Sequence, residues 1–401
     1  MSRYDFTSYY DRKVTKASKW VMMLRQNPDV KEGIVPMTTA DMDFMQAPEI
    51  GQAILDYVPG NLLGYSRPTD RYIDSILKHY QDVFGYEAKR EWVFTTPGVV
   101  PALAAAVRTC TAPGDGVIVL TPIYGPFYEV IEGQDRRVVD CPMYIEHDRY
   151  QIDFDRFEAL CAREQPKLFL LCSPHNPSGR VWSREELRRL ADICEQHGVQ
   201  VASDEIHCDI VLGDLPHTVF NTVSDYAANA ILCTSAGKTY NIQALQCSNV
   251  FIRDPELYAR YEHINLVAGI ERANVLGMVG TQAAYEKGGA WLKEATEVIR
   301  HNHQVLLRFF ASYPGQFHAL KPDASFLGWV DYGGTGIPHD EFMQFLVGCD
   351  FYVTDGLPFG EAARHFIRIN VGLPTHALEE NLARLEKGLK ERYGIVPQEK
   401  I

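Results

Sequence analysis

Short, β-branched apolar runs alternate with amphipathic stretches from about residue 92 to residue 250. That alternation predicts an α/β unit built on a mostly parallel sheet. Runs at 92–96, 117–120, 167–171, 199–203 and 230–233 read as strands. One helix is marked at both ends. Ser183 and Glu186 stand at capping-box spacing, Leu187, Leu190, Ala191 and Cys194 follow at helical spacing, and Gly198 can close the helix in a left-handed conformation. After about residue 285 the pattern lengthens. Residues 291–310 form a long amphipathic stretch, and Leu378, Leu382, Leu385 and Leu389 mark a closing helix. No repeat, low-complexity segment or linker interrupts the chain.

The polar residues that end the apolar runs carry the candidate chemistry. Lys238 lies in Ser235-Ala236-Gly237-Lys238-Thr239-Tyr240-Asn241, just after the run at 230–233. Desolvation at a strand end lowers a lysine pKa, and a neutral amine can attack an aldehyde to form a Schiff base. Asp204 follows 199–203, where a carboxylate could keep a pyridine nitrogen protonated. Asn176 follows 167–171 and could donate to a phenolic oxygen, and Tyr124 follows 117–120 as a stacking plate. Gly98, Val99 and Val100 lie between a strand and a helix start, where free amides can cradle a phosphate. Arg368, in the strand-like run 366–370, offers a guanidinium fork to an α-carboxylate, the alternative being a structural ion pair.

These residues resemble those of fold-type I pyridoxal 5′-phosphate (PLP) enzymes of the aminotransferase superfamily. Within it, Ala40-Asp41-Met42-Asp43-Phe44, Ser173 to Gly179 with Arg180-Val181-Trp182, and Ser203-Asp204-Glu205-Ile206-His207 are similar to the cystathionine β-lyase and cysteine C–S lyase branch. The resemblance runs to Asn370 and covers nearly the whole chain. It implies a large PLP-binding domain with a mostly parallel central sheet, expected at 57–284, and a smaller α+β domain from 1–56 and 285–401. It implies Lys238, Asp204 and Tyr124 as catalytic residues. Cofactor contacts are expected from Gly98, Val99, Val100, Tyr124, Asn176, Asp204, His207, Ser235 and Lys238, and from Tyr65 of a neighbouring subunit in a homodimer; His207, where aminotransferases often have a tyrosine touching the cofactor oxygen, could instead support Asp204 from behind, and on sequence alone Tyr65 could equally be a core residue. Arg368, Asn176 and Asp41 are expected on the substrate side.

Composition narrows the alternatives. A formal net charge of −13, with no run of lysines and arginines, argues against nucleic acid as a partner. Nine cysteines without a C-x-x-C pair, no signal-peptide core and no span suited to a bilayer lead us to expect a cytoplasmic protein without a membrane partner. The tract before Lys238 resembles the end of a nucleotide-binding P-loop, but Leu232 stands where that loop needs its first glycine. Asp204, Glu205, His175, His207 and Cys208 match no metal-site spacing, so no metal is expected. Gly237, Gln243-Ala244 and 361–363 depart from the branch and leave the pocket shape open.

The expected reaction is α,β-elimination from cystathionine or a related cysteine S-conjugate, a small amino-acid substrate, giving a thiol, pyruvate and ammonia. Transamination is the chemical alternative. A PLP-fold regulator is the alternative from another class, disfavoured because the chain begins almost at the family's own N-terminal segment, which leaves no additional DNA-binding domain.

Overall fold

The computed structural model describes residues 3–270 and 272–398. Its strands, in chain order, are β1 (Val93–Thr96), β2 (Gly116–Thr121), β3 (Arg137–Pro142), β4 (Tyr144–Glu146), β5 (Arg149–Gln151), β6 (Leu168–Cys172), β7 (Gln200–Asp204), β8 (Ile231–Thr234), β9 (Ser248–Phe251), β10 (His318–Leu320), β11 (Leu327–Asp331), β12 (Thr354–Asp355) and β13 (Phe366–Asn370). Seven of them form the main sheet, in the order β1-β9-β8-β7-β6-β2-β3. β9 runs antiparallel to both its neighbours, and the other pairs are parallel. The strands expected from the apolar runs therefore share one direction.

Two-residue alternation explains why these strands are apolar throughout. Ile118, Leu120, Phe169, Leu171 and Val201 face one core, shared with Phe157, Leu160, Leu187 and Leu190. Val117, Val119, Leu168, Leu170 and Ala202 face the opposite core, shared with Leu103, Ala106, Leu257 and Tyr261. Helices Phe154–Glu164 and Arg184–His197 cover the first face, and helices Val99–Cys110 and Pro255–Val267 cover the second. A parallel sheet covered on both faces needs hydrophobic side chains at consecutive positions. The marked helix forms at Arg184–His197, with Ser183 and Glu186 in a reciprocal capping box and Gly198 closing it at φ 66°.

A second, four-stranded antiparallel sheet has the order β10-β11-β13-β12. It packs with helices Gly289–Ala311, His339–Gly348 and Thr375–Tyr393, and its core draws in Tyr4, Phe6, Trp20, Met23 and Ile34 from the start of the chain. The two expected domain cut points, however, both fall inside helices, Pro48–Gly60 and Val275–Lys287. These helices pack closely. A Cβ added at Gly280 would stand 2.5 Å from Leu245 Cδ1 and 3.6 Å from Ile50 Cγ2. The lobes thus share continuous helices where a linker would otherwise separate them. Among the described residues no helix is long and apolar enough to cross a membrane.

Candidate active site

Five parallel strands end at the same sheet edge, and the loops after them wall one cavity of about 210 Å3. Gly98, Val99 and Val100 follow β1, Tyr124 follows β2, Asn176 follows β6, Asp204 ends β7, and Ser235 and Lys238 follow β8; all line the cavity, as does His207. Ligands gather at the carboxyl edge of such sheets because the loops diverge there. Ala40, Cys172, Ile206, Gln243 and Gln246 complete much of the wall. The sequence assigns none of these five a contact with a ligand: Ala40 and Ile206 enter only as parts of motifs, Gln243 only as a departure, and Cys172 as the apolar end of β6.

Lys238 sits in the short helix Ala236–Tyr240, capped by Ser235 Oγ, which accepts from the Gly237 amide at 3.0 Å. Its Nζ donates to the Ala40 carbonyl at 2.5 Å. Burial lowers its pKa to about 8, with Asp41 acting against the fall and Arg368 with it. Asp204 moves the other way. Burial raises its carboxyl to about 7, although Oδ1 accepts from the Ile206 amide at 3.1 Å. A carboxyl this poorly solvated calls for a cationic partner in the cavity.

Arg368 lies in β13 of the smaller sheet, buried, and its Nη1 donates to Asn176 Oδ1 at 3.1 Å. Its charge stands 5.0 Å from the Phe359 ring centroid and 6.0 Å from that of Tyr124. Its Nε is buried without a hydrogen-bond partner among the described residues, and no carboxylate pairs with it there. An unpaired buried guanidinium suits an incoming carboxylate better than a structural ion pair. With Asn176 Oδ1 so occupied, its amide nitrogen is the group free to donate into the cavity.

Arg368 touches the cavity wall without lining it, and two further expected residues lie farther off. The Asp41 carboxylate is 2.8 Å from Arg12 Nη2 and 3.2 Å from Lys19 Nζ, inside a network that also joins Lys19 to Asp43 at 2.7 Å. Asp41 is thus ion-paired and does not line the cavity, but its charge acts on Lys238. Tyr65 is fully exposed on this chain and lines no part of the cavity, which also removes its core reading. Asn241 and Asn370 support the site from outside the cavity, and neither is marked by the sequence as a site residue. Asn241 bonds the backbone of Met42 and Phe44, Asn370 bonds that of Thr39 and Asp41, and together they fix the segment that presents the Ala40 carbonyl. Their signal was weak: each lies two or three residues beyond a recognised site residue.

The donor and acceptor set fits PLP: an amine for its aldehyde, a carboxylate starved of a cation for its ring nitrogen, and a helix N-terminus at 98–100 for its phosphate. Ser235 Oγ donates to the Cys247 carbonyl at 2.9 Å, so a phosphate contact there needs that hydroxyl to turn.

The chain is similar over nearly its whole length to known proteins. The chain is 35% identical over 357 residues to the cystathionine β-lyase PatB of Bacillus subtilis (strain 168), covering 88% of this chain and 92% of that one. It is 30% identical over 395 residues to the protein MalY of Escherichia coli (strain K12), covering 96% and 99%. Among solved structures it superposes on cystalysin from Treponema denticola, which contains a PLP cofactor, with a TM-score of 0.95, 34% identity, and coverage of 97% of this chain and 100% of that one. Residues 32–385 match the family of class I and II aminotransferases, and the chain belongs to that family.

Proposed function

We propose that the protein is a PLP-dependent carbon–sulfur β-lyase that cleaves cystathionine or a related cysteine S-conjugate to a thiol, pyruvate and ammonia. The observation that carries this reading is that Lys238 and Asp204 line one cavity while the buried Arg368, without a carboxylate partner among the described residues, stands against its wall through Asn176 and Tyr124, in a chain similar along nearly its whole length to cystathionine β-lyases. When bound, PLP supplies an aldehyde that captures an amino group and a protonated ring that draws electrons from Cα.

The chain's own residues do the rest. Arg368 grips the substrate α-carboxylate and fixes which bond at Cα faces Lys238. With PLP bound, Asp204 would hold the proton on the ring nitrogen and Tyr124 would offer its face to the ring. A lysine whose pKa burial has brought down to about 8 keeps a usable neutral fraction near neutrality, so its Nζ can take the Cα proton. The Ala40 carbonyl steadies that amine. As the proton moves to Nζ, a Cα–Cβ double bond forms and the Cβ–S bond breaks, with the thiolate carrying off its electron pair. Water then releases ammonia and pyruvate.

The active unit in this reading is a cytoplasmic homodimer whose Tyr65 reaches the neighbour's phosphate. In support, Tyr65 is fully exposed beside exposed Leu55, Val58, Leu62 and Leu63, and the nine cysteines are unpaired thiols, as a reducing compartment favours.

The test adds L-cystathionine to purified protein and follows the visible PLP band with pyruvate in parallel. The band should persist while pyruvate accumulates, and Lys238→Ala should lower turnover by at least about a hundredfold. Conversion to the pyridoxamine form without pyruvate, or wild-type turnover in Lys238→Ala, would overturn the proposal.

A further inference from the structure

Ser325 is a non-glycine residue in the left-handed region, at φ 74°. Such backbone persists only where its surroundings over-determine it, and those surroundings are visible here. The Ser325 amide donates to the Ile210 carbonyl at 2.8 Å, and its own carbonyl faces His303 Nε2 at 3.1 Å. The amides of Asp323 and Ala324 both donate to the Gly179 carbonyl at 2.9 Å. Gly179, at φ 68°, has no room for a side chain: a Cβ would stand 2.5 Å from Pro322 Cβ and 2.8 Å from the Ala324 carbonyl oxygen. The smaller lobe's turn is thus clamped onto the loops that follow β6 and β7. The clamp brings Ser325 Oγ to 3.2 Å from His207 Nδ1.

We infer that Ser325 is a positioning residue that sets the tautomer of His207, leaving Nε2 protonated as a hydrogen-bond donor into the cofactor cavity. The inference rests on the PLP reading above. Ser325 is buried, and among the described residues its hydroxyl has His207 Nδ1 as its one partner. A hydroxyl hydrogen turned elsewhere would be buried without an acceptor, which is costly. Nδ1 therefore accepts, and a neutral ring must carry its hydrogen on Nε2. The ring is neutral: burial, with the charges of Lys238 and Arg368, brings its pKa down to about 3. His207 Nε2 and the amide nitrogen of Asn176 are then two donors on one cavity wall, without acceptors among the described residues. An oxygen carrying negative charge, such as the phenolic oxygen of PLP, satisfies both.

The test titrates the visible absorbance of the resting holoenzyme against pH for the wild type, Ser325→Ala and Ser325→Gly, with thermal unfolding of each. A donor on the phenolic oxygen stabilises its charge and lowers the pKa of the lysine-bound imine. Loss of the Ser325 hydroxyl should therefore raise that pKa by about one unit in both variants. Ser325→Gly should also unfold at or above the wild-type temperature, because glycine adopts this φ without strain. Titrations that superimpose on the wild type would overturn the inference, and so would a fall in unfolding temperature with an unmoved pKa, which would assign Ser325 to docking alone. A wild type without a visible band after PLP addition would remove the cofactor reading and this inference with it; a wild-type band unmoved by the variants would remove this inference only.

Discussion

Asp204 and Lys238 share one cavity, and burial moves them in opposite directions, to about 7 and to about 8. Each shift neutralises its group, as desolvation demands. The consequence for stability differs in sign. A carboxyl with a higher pKa folded than unfolded binds protons more readily in the folded chain, so the stability it contributes is present below its unfolded value of 3.8 and is lost as pH rises through about 7. Lys238 has the lower pKa in the folded chain, so stability rises with pH between about 8 and 10.5. His175, His207 and His303, held neutral by burial, add stability as pH rises from their folded values of about 3 to 4 towards 6.5, against the Asp204 effect. A comparison of variants isolates the carboxyl. In denaturant unfolding of cofactor-free protein, Asp204→Asn should gain on the wild type by a few kcal/mol, roughly, as pH rises from 3.8 to about 7. Adding PLP should reverse the order, because a protonated ring nitrogen gives the wild-type carboxylate its missing partner.

At the scale of elements, segment 39–44 depends on two asparagines of other elements. Asn241 accepts from the Met42 amide at 2.9 Å and donates to the carbonyls of Met42 at 3.0 Å and Phe44 at 2.8 Å, while its own backbone is left-handed at φ 57°. Asn241→Ala removes three hydrogen bonds and leaves a residue ill suited to that φ. It should cost about 3 kcal/mol of stability and speed hydrogen exchange of the Met42 amide. Unchanged exchange there would show that the segment is held by other contacts. The strands and the Arg184–His197 helix were legible in sequence, because their signals, an apolar run or a cap three residues from its partner, are local. The contact between Gly237 and Gln243 was not. The sequence marks them as separate departures, yet a Cβ on Gly237 would lie 3.6 Å from Gln243 Cγ and 3.1 Å from Ser235 Oγ. A side chain at 237 would meet Gln243 at ordinary contact distance and press only on the Ser235 hydroxyl.

Across the whole molecule, the beginning of the chain is held by charge as well as by apolar packing. Lys19 is fully buried and paired with Asp43, whose carboxyl burial pushes up despite the lysine. Removing one partner of a buried pair leaves an uncompensated charge. Lys19→Met should destabilise the fold by roughly 3–5 kcal/mol in denaturant unfolding, whereas replacing Lys19 and Asp43 together with apolar residues should cost less. In the proposed homodimer, sedimentation should give twice the 45.4 kDa chain mass, and Tyr65→Ala should weaken PLP retention without changing the Lys238 site of the same chain. A monomer with wild-type PLP affinity would contradict that assembly.

What the sequence determined by itself was whatever depends on near neighbours: the strands, the capped helix, and a lysine, an aspartate and an arginine marked by the apolar runs around them. These signals survive because periodicity and desolvation act within a few residues. Tertiary structure decided the pairings. Asp41 is taken up by Arg12 and by Lys19, 22 residues earlier, and Ser325 meets His207 across 118 residues. No periodic pattern carries information over such separations, so it is the packing of the two lobes that settles which polar groups are spent on the fold and which are left for the cavity.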